Sequence, residues 1–133
     1  MCGIVGLFLK TERYRPELGR LTAAMLHEMR SRGPDSAGFA VYDQGTAGHT
    51  RITLLAEGRA LDWDAVADDL SVAIAAPVEV RPIQDHAVFE TTGDTRVARQ
   101  WIIDNKPEID VLSHGTQIEL FKSVGDPDLV ASR

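Results

Sequence analysis

The chain has 133 residues, of which 44% are hydrophobic and 26% are charged. This length excludes two complete domains, since ordinary domains contain roughly 100 to 150 residues, and the composition is that of a chain that folds around a core. The net charge of -6, from 14 Lys and Arg against 20 Asp and Glu, argues against a nucleic-acid partner, because cationic contacts with phosphates dominate such binding.

The sequence contains one cysteine, Cys2, next to the initial methionine. A single thiol cannot form an intrachain disulfide, so we expect a reducing, cytoplasmic setting. The apolar residues 2–9 are too few to span a bilayer, which takes roughly 20, and we therefore expect no membrane partner. The scattered histidines have no metal-ligand spacing, and we predict neither a metal nor another cofactor.

The first predicted elements are a strand and a helix. Residues 2–9 are apolar and partly β-branched, which predicts a buried strand. Pro16 fits a first helical turn, and apolar residues with helical spacing follow it. They are Leu18, Leu21, Met25 and Met29. The resulting amphipathic helix should end near Arg30, since Pro34 excludes helical geometry and starts a loop.

Six further strand-like runs follow, rich in β-branched and apolar residues. They are residues 37–42, 50–55, 78–83, 87–91, 109–112 and 117–121. We expect the first two to form a hairpin, and the last two to pair about the turn at His114 and Gly115. Pro82 should mark a sheet edge or a bulge, because proline cannot donate to the ladder.

Two helices are predicted between these strands. Asp62 can cap the first, whose inward face holds four apolar residues. They are Trp63, Val66, Leu70 and Ile74. The second runs over residues 95–105, with Val97 and Trp101 expected to face inward. Asp126 followed by proline also starts a helix that stops after about one and a half turns, and we therefore expect residues 1–133 to be the N-terminal portion of a longer, truncated domain.

Cys2 is the residue whose position points most directly to chemistry. Removal of Met1 would leave a thiol beside a free α-amine, which titrates near 7.7 to 8.0 and could accept the thiol proton. One residue would then supply both nucleophile and base. The alternative, from position alone, is that Cys2 is a small buried hydrophobe of the first strand.

Two motifs decide between these interpretations. Residues 1–6 read Met-Cys-Gly-Ile-Val-Gly, and residues 32–38 read Arg-Gly-Pro-Asp-Ser-Ala-Gly. Together, and separated by the predicted helix, they resemble the class II glutamine amidotransferases, a family of N-terminal-nucleophile hydrolases. The resemblance covers residues 1–43 and is greatest to glutamate synthase-like amidotransferase subunits, including those of N-methylglutamate synthase systems.

The resemblance implies an α+β chain that forms the first part of an αββα N-terminal-nucleophile hydrolase sandwich. It also implies that Cys2 hydrolyses the side-chain amide of L-glutamine through a thioester and delivers ammonia to a partner synthase domain or subunit. Four positions match the family loop beside the nucleophile, where they would bind substrate or shape the site. They are Arg32, Gly33, Asp35 and Ser36. The competing interpretation of Arg32 and Asp35 is an ordinary loop ion pair.

The sequence also departs from the family pattern. Class II members bind glutamine with an arginine-threonine segment and build the oxyanion hole from an Asn-Gly pair, and we identify neither here. Asn105, the only asparagine, precedes Lys106. Since losing one oxyanion donor costs about 100- to 1000-fold in rate, we expect this chain alone not to be a competent glutaminase. The alternative is a non-catalytic interaction or regulatory module that keeps the front half of the fold.

Overall fold

The computed structural model describes residues 3–32 and 35–128, and within these ranges it contains three α-helices and six strands. The helices are α1 (Leu18–Met29), α2 (Trp63–Ile74) and α3 (Thr95–Asn105). The strands are β1 (Ser36–Tyr42), β2 (Thr50–Leu55), β3 (Val78–Ile83), β4 (His86–Thr91), β5 (Asp110–Gly115) and β6 (Ile118–Val124). The predicted α+β class is confirmed.

The chain divides into two compact units, one formed by residues 39–121 and the other by residues 1–38 with 122–133. The larger unit contains an antiparallel four-stranded sheet in the order β3-β4-β2-β5. Helices α2 and α3 contact each other and pack against β3 and β5 respectively. The core between the helices and the sheet includes Ile52, Leu54, Trp63, Val66, Leu70, Phe89, Ala98 and Ile102.

Both helices of this unit begin at aspartate caps. The Asp62 carboxylate accepts a hydrogen bond from the Ala65 amide at 3.0 Å, and the Asp94 carboxylate accepts one from the Arg96 amide at 2.8 Å. These bonds satisfy amides that have no partner within the helix. The predicted bounds of α3 are confirmed, but the prediction that Val97 faces inward is wrong, since Val97 is 51% exposed. The buried residues of α3 are Ala98 and Ile102 instead.

Both predicted strand pairings are wrong, although the strands themselves form. The strand β2 pairs with β4 on one edge and β5 on the other, so it has no free edge for β1, and β6 pairs with β1 rather than with β5. Five of the six β2 residues are buried, which is the pattern of a central strand that needs a neighbour on both sides. The prediction that Pro82 lies at a sheet edge is confirmed, because β3 is an edge strand.

The strands β1 and β6 pair with each other in a separate two-stranded sheet. The Gly125 amide donates to the Asp35 carbonyl at 3.0 Å, and the Asp43 amide donates to the Gln117 carbonyl at 3.2 Å. Since these bonds lie at opposite ends of the two strands, the strands run antiparallel.

In the smaller unit, α1 ends at Met29 as predicted, but it begins at Leu18, and Pro16 lies in the preceding 3-10 helix, Glu12–Glu17, rather than in the first turn of α1. The predicted strand at residues 2–9 is wrong for residues 3–9, which form no regular structure. Ile4 is 95% exposed and Phe8 is 85% exposed. Apolar sequence alone does not make a strand, because a strand needs a ladder partner, and none of the six strands of the described structure pairs with this segment. Cys2 lies outside the described residues.

None of the helices in the described part of the chain is both long and apolar enough to cross a membrane.

Candidate functional site

The residue next to the predicted nucleophile packs against the end of α1. A β-carbon on Gly3 would clash with Met29 Cε, and it would lie 3.4 Å from Arg32 Cδ and 3.5 Å from Arg32 Cβ. Glycine therefore allows the chain at residue 3 to approach these two side chains closely. Since Cys2 is bonded to Gly3, the structure brings the neighbour of Cys2 beside Arg32.

The loop motif begins where α1 ends. Arg32 is the last residue of the 3-10 helix Arg30–Arg32 and has an exposed side chain. Gly33 lies outside the described residues. Asp35 and Ser36 are both exposed, and Ser36 is the first residue of β1. The structure thus places three of the four predicted loop residues at the junction of α1 and β1, with Arg32 next to Gly3.

The tail that follows β6 contacts both sides of this junction. Its first residue, Gly125, donates its amide to the Asp35 carbonyl. Three residues later, Asp128 accepts a hydrogen bond from His27 Nδ1 at 2.9 Å and lies 3.5 Å from Arg30 Nη1. Sequence reasoning gave Asp128 no role, because its partners are about 100 positions away along the chain.

A second polar cluster lies in the larger unit, around a buried arginine that sequence reasoning also missed. Arg51 on β2 is only 6% exposed. Its Nη1 donates to Glu119 Oε1 at 2.6 Å and to Asp43 Oδ2 at 3.1 Å, and its Nη2 donates to Asp43 Oδ1. Glu119 also accepts two hydrogen bonds from Arg81 Nη2, each of 2.6 Å. The two arginines and two carboxylates have no net charge together.

The cluster is completed by the loop that connects β1 to β2. The Gly45 amide donates to the Asp43 carboxylate at 2.7 Å, and the Thr116 carbonyl accepts from Arg51 Nη2 at 3.3 Å. Hydrogen bonding to Asp43, opposed by burial and reinforced by Glu119, raises the pKa of the Arg51 guanidinium above its ordinary value. Arg51 therefore stays charged throughout the accessible pH range and can act as a fixed structural cation.

Two further polar contacts lie on the helices α2 and α3. Asn105 donates from its side chain to the Trp101 carbonyl at 2.9 Å at the end of α3, where it closes the last helical turn. The aspartates of α2 are exposed, and Asp69 pairs with Lys106 at 2.9 Å. Across residues 3–32 and 35–128, no group of three or more acidic, histidine or cysteine side chains is placed to hold a metal ion.

Comparison with known proteins gives two kinds of match. A family model described as Glutamine amidotransferase domain matches residues 1–75, more than half of the chain. The whole chain is also 38% identical over 135 residues to the Glutamine amidotransferase-like protein GlxB of Rhizobium meliloti, of which it covers 44%. It is 30% identical over 144 residues to a Putative glutamine amidotransferase of Methanothermobacter thermautotrophicus, of which it covers 46%. The chain thus spans less than half the length of these curated relatives.

Proposed function

The chain belongs to the glutamine amidotransferase domain family, and we propose that it supplies the glutaminase nucleophile of a class II, N-terminal-nucleophile member. The observation that carries this proposal is that the matched region, residues 1–75, includes both Cys2 and the complete motif at residues 32–38. The close approach of Gly3 to Arg32 supports it, because a loop that shapes the nucleophile site has to lie near the nucleophile. Within the class, the proposal favours a glutamate synthase-like subunit and an αββα sandwich.

In the proposed reaction, Met1 is removed and the free α-amine of Cys2 accepts the thiol proton. The thiolate attacks the carbonyl carbon of the glutamine side-chain amide, and the carbon–nitrogen bond breaks. Ammonia leaves with the proton taken from the thiol, and a γ-glutamyl thioester forms on Cys2. Water then attacks the thioester, which releases glutamate and restores the thiol.

The loop residues have positioning roles in this proposal. Arg32 has an exposed side chain whose Cβ and Cδ lie beside Gly3, and its guanidinium would favour the thiolate over the thiol and attract the carboxylate of glutamine. Gly33, Asp35 and Ser36 would contribute substrate contacts or site architecture. Ammonia would then pass to a synthase domain or subunit in a cytoplasmic assembly.

The donors of the class II oxyanion hole are not identified among these residues. With no Asn-Gly pair in the sequence, the oxyanion of the tetrahedral intermediate would need donors from outside these residues. Both curated relatives are more than twice as long as the chain, so there is room for such donors in a protein of their length. On this proposal the chain alone is not a competent glutaminase.

The test uses the protein made from the whole reading frame that encodes this chain. Ammonia release from glutamine is measured for the wild type and for Cys2→Ser, together with the intact mass of each. We expect Met1 to be absent and Cys2→Ser to lower the rate by about 1000-fold or more, since a hydroxyl is a far weaker nucleophile near neutral pH. Met1 retained in an active protein, or wild-type rates from Cys2→Ser, would refute the mechanism. A whole protein with no glutaminase activity would favour an interaction or regulatory module instead.

A further inference from the structure

The tail after β6, residues 125–128, has a defined conformation. Gly125 has φ +129°, a value that L side chains rarely adopt. The carboxylate of the next residue, Asp126, accepts a hydrogen bond from the Asp128 amide at 2.8 Å. This bond has the geometry of a helix N-cap and fixes the direction in which the chain leaves β6. The backbone of Asp128, which carries the side chain discussed next, is thereby held in place.

The Asp128 carboxylate contacts two residues at the end of α1. His27 Nδ1 lies 2.9 Å from both carboxylate oxygens of Asp128, and Arg30 Nη1 lies 3.5 Å from Oδ2. His27 is in the last turn of α1, and Arg30 begins the 3-10 helix that ends at Arg32. One carboxylate therefore bridges the helix and the turn that presents Arg32.

The same tail also contacts the chain at the start of β1. The amide of Gly125 donates to the carbonyl of Asp35 at 3.0 Å, just before β1 begins. Residues 125–128 therefore contact the chain just before the motif, through the ion pairs of Asp128 with His27 and Arg30, and within the motif, through the hydrogen bond from Gly125 to Asp35. On the side of α1, Met29 and Arg32 in turn contact Gly3, the neighbour of Cys2.

From these contacts we propose that Asp128 is a positioning residue for the nucleophile site. It fixes the end of α1 so that Arg32 and Gly3, and through Gly3 the nucleophile, keep their mutual geometry. This inference rests on the proposed function, because it assumes that Cys2 is the nucleophile. Asp128 does not touch the reacting atoms itself.

A positioning role for Asp128 should be seen in the rate of catalysis rather than in the stability of the fold. Asp128 is 41% exposed, and its partners His27 and Arg30 are 50% and 55% exposed. Exposed ion pairs contribute about 0 to 1 kcal/mol to stability. A small displacement of a catalytic group, in contrast, can lower a rate about 100-fold. Removing the carboxylate should therefore affect catalysis much more than it affects unfolding.

The test compares Asp128→Asn with Asp69→Asn in the protein from the whole reading frame. Asp69 is a matched control, since it is also an exposed aspartate, paired with Lys106 in the larger unit. For Asp128→Asn we expect kcat/KM for glutamine to fall at least about fivefold, while the midpoint of denaturant unfolding stays near that of the wild type. Asp69→Asn should leave both unchanged, and Asp128→Glu should restore part of the lost activity because it retains the charge.

A double-mutant cycle between Asp128→Asn and Arg30→Gln tests whether the carboxylate acts through α1. The two effects on kcat/KM should be clearly less than additive, since each substitution breaks the same ion pair between Asp128 and Arg30. Additive effects, or an Asp128→Asn variant with wild-type kinetics, would overturn the inference. If Cys2→Ser retained full activity in the same assay, the proposed function would fail instead, so the two failures are distinguishable.

Discussion

Arg51 and Glu119 connect the two sheets through a buried ion pair, with 2.6 Å between Arg51 Nη1 and Glu119 Oε1. Arg51 lies on β2, the central strand of the four-stranded sheet, and Glu119 lies on β6, which pairs with β1. Both side chains are less than a tenth exposed. A charge in such a place is tolerated only when it is paired and hydrogen-bonded, and Asp43 and Arg81 complete the pairing.

We predict that Glu119→Gln destabilises the chain by about 3 kcal/mol, because it leaves the buried Arg51 with only part of its counter-charge. Asp43 still faces Arg51 in this variant, so the loss should be at the lower end for a broken buried pair. Denaturant unfolding of the chain measures the change. Glu12→Gln is the control, since Glu12 pairs with Arg15 at the surface and should cost less than about 1 kcal/mol. Equal effects of the two substitutions would contradict the structural role of the buried pair.

Two glycines of the loop between β1 and β2 give a second matched comparison. Gly45 has φ +63° and Gly48 has φ +76°, so alanine is strained at both positions. A β-carbon at Gly45 would also clash with the Thr116 carbonyl oxygen, whereas one at Gly48 would meet nothing within 4 Å. Gly48→Ala should therefore cost about 1 kcal/mol, and Gly45→Ala distinctly more. If Gly48→Ala lowered the free energy of unfolding more than Gly45→Ala does, the Thr116 carbonyl would not restrict this loop.

The sequence predicted individual elements well because their signals are local. The caps at Asp62 and Asp94 and the apolar spacing of α2 lie within a few residues of the helices that they define. The choice of neighbouring strand, in contrast, depends on residues that are far apart in the sequence. The strand β1 has an alternating exposure pattern that fits one neighbour as well as another, and only the burial of β2 shows that both of its edges are occupied. Residues 3–9 misled the prediction because apolar, β-branched composition does not supply a ladder partner.

The same distinction applies to the candidate site. The motif at residues 32–38 was readable because its residues are contiguous, and Gly3 lies beside Arg32 as a site near Cys2 requires. The contacts of Asp128 with His27 and of Arg51 with Glu119 join positions far apart in the chain. The one local hint was an arginine at position 51 inside a β-rich run, which in a central strand has to find a buried counter-charge.

Asp94 should make stability depend on pH at the acidic end. Hydrogen bonds from the side chain and backbone of Arg96 hold the pKa of the Asp94 carboxyl below its ordinary value in the folded chain. The unfolded chain, with a carboxyl pKa near 3.9, then binds the proton first as pH falls. The stabilisation is therefore fully present above that pKa and is lost as pH falls through the folded value.

Comparison of Asp94→Asn with the wild type isolates this contribution. Asparagine can still accept the cap bond, so the main loss is the charge facing Arg96. Unfolding midpoints measured from about pH 6 down to about pH 3 should show a wild-type advantage that shrinks with acidification. An advantage that grew toward low pH would contradict the assigned direction of the shift.

Self-association of the chain is expected through residues 3–9. Ile4 and Phe8 are 95% and 85% exposed, and Leu7 is 39% exposed. Apolar side chains this close together on a surface favour contact with another apolar surface. Sedimentation of the chain should show concentration-dependent oligomers that Ile4→Ser with Phe8→Ser reduces. Val72→Ser is the control, since Val72 is 84% exposed on α2, and it should not change the distribution. A monodisperse wild-type monomer would contradict the prediction.

Labelling of the single thiol reports on the proposed nucleophile, Cys2, without any competing cysteine. A guanidinium beside a thiol favours the reactive thiolate, and Arg32 lies next to Gly3. We therefore expect Arg32→Gln to slow alkylation by iodoacetamide about threefold, on the order of what one nearby charge contributes. Arg59→Gln, at an exposed position of the larger unit, should leave the rate unchanged.

A glutamine-like electrophile, such as a diazo-oxo-norleucine analogue, separates thiol reactivity from substrate recognition in the same assay. In the protein from the whole reading frame it should label Cys2 faster than iodoacetamide does, and free glutamine should protect the thiol. In the 133-residue chain both reagents should react with little glutamine protection, because we identify in it neither the arginine-threonine segment nor the Asn-Gly pair of class II members. Strong protection in this chain would show that it carries a complete glutamine site. An unreactive thiol in both proteins would mean that Cys2 is a buried hydrophobe rather than a nucleophile.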